Sequence, residues 1–128
     1  RHNRIVTTLA KERRAVAARW GVRNLPSTDE WLDRFAGTMT GTMVRPVPQP
    51  NQADDLIRCA TMGSLVPLQS AAQLADLPVP ATSAMIELAH QSIGGDLLHA
   101  GRRLDNMGFV NTDLDSIRTQ LDAMTVAT

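Results

Sequence analysis

Tyrosine is absent from this chain of 128 residues, phenylalanine and tryptophan occur twice each, and cysteine occurs once. With so few aromatic rings a base-stacking platform for single strands is not expected. One thiol, Cys59, closes no internal disulfide and leaves no room for the cystine framework of a small secreted domain. Excess charge is also missing: thirteen Lys and Arg face thirteen Asp and Glu. A protein that tracks phosphates needs a basic face, so nucleic acid is not an expected partner. No apolar run approaches the roughly 20 residues that span a bilayer, so no membrane is expected either. No secretory leader is visible. These absences point to a reducing, cytoplasmic setting.

What is present is an ordinary globular composition, 43% apolar and 20% charged, at a length that fits one domain. Glycine and proline divide the chain into helical stretches. In "RIVTTLAKERRAVAARW", Ile5, Leu9, Val16 and Trp20 recur near one stripe, and Gly21 is a natural stop. "STDEWLDRFAG" opens with Ser27 and Glu30 in capping-box spacing. "GTMTGTMVRPVPQP", with three prolines, is expected to be irregular. Further helices are expected from Asn51 to Gly63, from a cap at Ser64, from a cap at Thr82 or Ser83 to Gly94, and from a capping box at Thr112 and Asp115. The last of these carries Leu114, Ile117, Leu121 and Met124 on its apolar face. The expected architecture is all-α, about seven helices with no strand.

The segment "GGDLLHAGRRLDNMG" holds the densest polar chemistry. With Asp96 as N-cap, Asp96, His99 and Arg103 share one helical face. They serve either as a solvated surface cluster or as a site in which Arg102 or Arg103 clamps a carboxylate and His99 moves a proton. Gly63-Ser64 offers a second candidate, because a glycine before a capped helix start presents free amides and the positive end of a dipole to an anion. A metal centre is not expected, since His2, His90 and His99 lack partners at ligand spacing. His90 fits a helix end or core, and Cys59 is expected buried and inert. No glycine-rich phosphate loop is present: "GTMTG" follows no strand and no Gly-Lys-Ser/Thr occurs.

The order of motifs in "GSLVPLQSAAQLADLPVPATSAMIELAHQSIGGDLLHAGRRLDNMG" resembles the C-terminal helical domain of the octopine/nopaline (opine) dehydrogenase family. The likeness runs through Gly63 to Leu68, Leu77 to Pro80, Ala84 to Ala89, Gly94 to Asp96 and Gly101 to Gly108. Upstream, "AKERRAVAARWGVRNLPSTDEWL" is similar to a second family segment, so most of residues 10 to 108 are covered. The resemblance implies a helical bundle like the C-terminal domain of 6-phosphogluconate dehydrogenase, and an N-terminal Rossmann domain ahead of this chain. It implies the reductive joining of an amino acid to a 2-keto acid with NAD or NADP, which that missing domain would mainly hold. The acid/base histidine would lie upstream. Gly63, Ser64, Asp96, His99 and Arg102 are the expected substrate contacts, and a homodimer is a possible assembly. One departure stands out. Where the family carries an Arg and a Glu-Asp pair before the Gly63 motif, this chain has Asp55, Cys59 and Ala60, with Asp54, Asp55 and Arg58 at shifted positions. The alternative function is a non-catalytic helical interaction or dimerisation module, every charge being a solvated face.

Overall fold

The computed structural model describes residues 4–30, 49–109 and 113–126. Among them there is no strand, so the protein is all-α. Among the described residues six α-helices run in chain order: α1 (Arg4–Arg19), α2 (Ala53–Ala60), α3 (Val66–Leu74), α4 (Pro80–Ile93), α5 (Leu97–Ala100) and α6 (Leu114–Val126). A further helical turn occupies 28–30. No helix among the described residues is long and apolar enough to cross a membrane.

α1 ends as its sequence requires. Gly21 takes φ +90°, and the Val22 amide reaches back to the Ala17 carbonyl at 2.8 Å, the glycine-terminated closure that a side chain would strain. Its inward stripe is Ala10 and Val16, with Leu9 and Trp20 half-buried; Ile5, expected on that stripe, is 51% exposed. Val16 meets Ala72 and Val79, and Trp20, Leu68, Ala71 and Leu77 pack around them. The Trp20 indole also donates to the Ala71 carbonyl at 3.1 Å, which latches α1 to α3. Leu97 and Ile117, each 1% exposed, anchor α5 and α6, and each buried side chain of that size contributes about 2–3 kcal/mol.

The expected starts and stops hold in part. Ser27 and Glu30 form their reciprocal cap at 2.7 and 3.1 Å. α2 is entered through a 3-10 turn, Pro50–Gln52, rather than capped by Asn51. α4 begins at Pro80, three or four residues earlier than a cap at Thr82 or Ser83 would have set it, because proline's fixed φ is already helical at a first position. α6 is capped by Asp113, whose carboxylate accepts from the Ser116 amide at 2.7 Å. Thr112 and most of the "GTMTGTMVRPVPQP" stretch lie outside the described residues, as do the side chains of Leu121 and Met124.

Because Val79 brings no side-chain cap, α4 takes one from far away in sequence. The Glu12 carboxylate accepts from the Ala81 and Thr82 amides, both at 2.8 Å, and from the Thr82 hydroxyl at 2.7 Å. Thr82 is fully buried. Burial alone would raise the Glu12 carboxyl; the Thr82 hydroxyl and the two amides outweigh it and hold the group below its ordinary value.

Candidate functional site

The segment expected to break at Gly63 does not break. Thr61–Leu65 forms a π-helical turn that carries α2 into α3, with the Val66 amide bonded to the Thr61 carbonyl five residues back. Ser64 is therefore inside a helical path and caps nothing. The free amides and dipole end expected there do not form, since each amide lies in the ladder rather than at its start. Gly63 is exposed, and a Cβ built on it would meet nothing within 4 Å.

The widened turn exposes the Met62 carbonyl to a partner outside the helix. The Arg102 amide donates to it at 3.1 Å, which brings the 101–108 turn against the π turn. Contact is closest at Gly101: a Cβ there would sit 2.6 Å from Val66 Cγ1 and 2.9 Å from the Leu97 carbonyl oxygen. Only glycine fits this approach. The turn is held further by the Leu104 amide on the Ser70 hydroxyl (2.9 Å) and by Asn106, which donates to the Gly101 carbonyl (2.8 Å) and accepts from the Arg103 amide (2.9 Å).

Side chains of the candidate segment separate into two groups. Asp96 caps α5 through the His99 amide at 3.1 Å and also meets His99 Nδ1 at 2.7–2.8 Å. The bond from the His99 amide, followed by that from its ring, lowers the Asp96 carboxyl. Both side chains are largely exposed. Arg103 does not join them; its Nε pairs with Asp105 at 3.0 Å and lowers that carboxyl. Arg102 is exposed and makes no ion pair among the described residues.

Two hollows flank this region. One, of about 570 Å³, lies between α1, the 28–30 turn and the start of α3, and Ser64 lines it. The other, of about 520 Å³, is edged by Gln69, Ser83, Glu87, His90 and Asp96. Gln69 and Ser83 are joined across it at 2.8 Å. Of the five expected contacts, then, Ser64 lines the apolar hollow and Asp96 the polar one. Gly63 and Arg102 are neighbours through the Met62 carbonyl, and His99 is held by Asp96. His90, in the last turn of α4, is half-buried on the polar hollow.

Among the shifted residues, Asp54 and Asp55 are exposed on the first turn of α2. Arg58 is half-buried and lies over the Gly94–Gly95 bend, its Nη1 3.3 Å from a Cβ built on Gly95. Cys59 is exposed rather than buried, because Arg58 and Thr61, not the cysteine, face the rest of the molecule. Among the described residues no three His, Cys, Asp or Glu gather to hold a metal ion. None of the expected contacts could have revealed Arg13 as a group lining a hollow, or Glu12 as the cap of α4. Both lie in α1, whose sequence shows only an ordinary charged flank.

Comparison of the chain with family models, with curated proteins and with solved structures finds no match. The opine-type likeness therefore rests on the sequence motifs alone.

Proposed function

We propose that this chain is the substrate-side helical domain of an NAD(P)-dependent opine-type dehydrogenase, which would join an amino acid reductively to a 2-keto acid. One observation carries the proposal. Three of the motifs that resemble the family, 63–68, 94–96 and 101–108, are far apart in sequence yet meet around one junction. The Arg102 amide is on the Met62 carbonyl, Gly101 is against Val66, and Arg58 is over Gly95. That junction lies beside two hollows of the size that take small organic ligands, roughly 300–1,000 Å³.

Among the described residues no strand leads through a glycine-rich loop into a helix, the arrangement that holds a pyrophosphate. NAD or NADP would be held by other residues, and would supply the hydride. The work left to this chain is to bind and orient carboxylate substrates. Ser64, on the apolar hollow, and the exposed Arg102 guanidinium are the expected donors, and Asp96, which holds His99, edges the polar hollow. The test is to express the chain with its natural upstream sequence and follow quenching of nicotinamide fluorescence. Saturable NAD(P)H binding supports the proposal; an upstream region with no βαβ unit and no binding overturns it. A second function, self-association without catalysis, is favoured by the outward apolar face of α2, where Leu56 is 49% and Ile57 39% exposed.

A further inference from the structure

The 570 Å³ hollow differs from its neighbour in what lines it. Val6 and Leu9 from α1 face Leu65 and Leu68 from the other wall, and the charged group among the described residues that line it is Arg13. Arg13 is exposed and makes no ion pair among the described residues. Part of the wall is the π turn itself, since Ser64 and Leu65 both belong to it and both line the hollow. A π turn is a rare insertion that concentrates at functional sites. An apolar enclosure with one guanidinium and a hydroxyl fits a ligand that is apolar over most of its surface and anionic at one end. The polar hollow cannot take the same ligand equally well, because Glu87 and Asp96 edge it with carboxylates that repel an anion.

We propose that this hollow binds a carboxylate with a large apolar body, the body against Val6, Leu9, Leu65 and Leu68 and the carboxylate on Arg13 with Ser64 as second donor. The inference rests on the dehydrogenase proposal in taking that ligand to be the amino or 2-oxo acid substrate, and it narrows the substrate to one with an apolar side chain. It also moves the carboxylate contact from Arg102 to Arg13.

The test uses the isotope-labelled 128-residue chain titrated with three probes: octanoate, octanol and acetate. Octanoate is expected to shift the amide resonances of Leu9, Ser64 and Leu65. Octanol, with the body but no charge, binds more weakly, and acetate, with the charge but no body, leaves them in place. Arg13→Met weakens octanoate by about tenfold or more, as loss of a charge-assisted bond requires, and leaves octanol unchanged; Arg13→Lys recovers part of the loss. Arg13 is exposed, so unchanged circular dichroism of both variants shows that the fold is kept. Equal affinity for octanoate and octanol, or an Arg13→Met chain that binds octanoate like the parent, overturns the inference. Full-length protein that binds NAD(P)H while octanoate avoids the hollow overturns this inference alone. Octanoate binding at Arg13 without any nicotinamide binding overturns the dehydrogenase proposal and leaves the hollow's ligand preference standing.

Discussion

α2 and α4 start under similar conditions and end up in opposite states. Each follows a proline-marked entry, and neither has a side-chain cap from its own N-cap residue. α4 receives its cap from Glu12 and buries Thr82, Ile86 and Ala89. α2 buries nothing. Its apolar residues Ala53, Leu56, Ile57 and Ala60 fall at the i, i+3, i+4, i+7 positions of a core-facing stripe. Yet Leu56 is 49% and Ile57 39% exposed, while Arg58 and the following Thr61 face inward. Amphipathicity predicts that a helix has two faces. Which face is covered depends on what the rest of the chain brings to it, and here the inward side meets the Gly94–Gly95 bend through Arg58.

The comparison is broken most severely at the junction that ties α2 and α3 to the rest. Gly101→Ala forces a methyl into Val66 and the Leu97 carbonyl, and is expected to cost about 2–3 kcal/mol, as overpacking does; urea unfolding measures it. A loss below about 0.5 kcal/mol, within the range of ordinary surface changes, would show that the junction yields easily.

Next comes the cap of α4. Glu12→Ala leaves two amides and the buried Thr82 hydroxyl without their acceptor, at an expected cost of about 1–2 kcal/mol. Since the folded Glu12 carboxyl lies below its ordinary value of 4.5, its contribution is complete above that pH. It is lost as pH falls through the lower folded value. The gap between parent and variant urea midpoints should therefore be constant near neutrality and close in acid. A gap that widened in acid would mean that some other group does the capping.

The smallest effect belongs to α2. Leu56→Gln combined with Ile57→Gln should leave stability within about 0.5 kcal/mol, as substitutions on an open surface do. A larger fall in Tm, growing with protein concentration in the parent but not in the variant, would mean that a second copy covers the stripe. Sedimentation of the two chains would then separate a dimer from a monomer.

Legibility in the sequence followed the range of each interaction. The Ser27–Glu30 box and the Asp96 cap join residues three apart, and both formed as the spacing predicts. The π turn went unforeseen because a glycine-serine pair after a helical run carries the same letters whether the helix stops or passes through. What tips it is the Met62 carbonyl finding the Arg102 amide forty residues on. Cys59 departs from its expected burial for the same reason. As a residue type cysteine favours burial, but α2 turns its charged side inward and carries the thiol out.

By itself, then, the sequence determined that this protein is helical, that Gly21 and Gly94 stop the helices before them, and that Ser27 with Glu30, and Asp96, close the helix starts beside them. Each of these depends on backbone preferences and on contacts within one turn. Only the tertiary structure decided that Glu12 would start α4, that Gly101 would leave room for Val66, and that Arg13 rather than the glycine-rich segment would line the apolar hollow. Those outcomes depend on residues from about 35 to 70 positions apart coming together, and such meetings leave no periodicity to read.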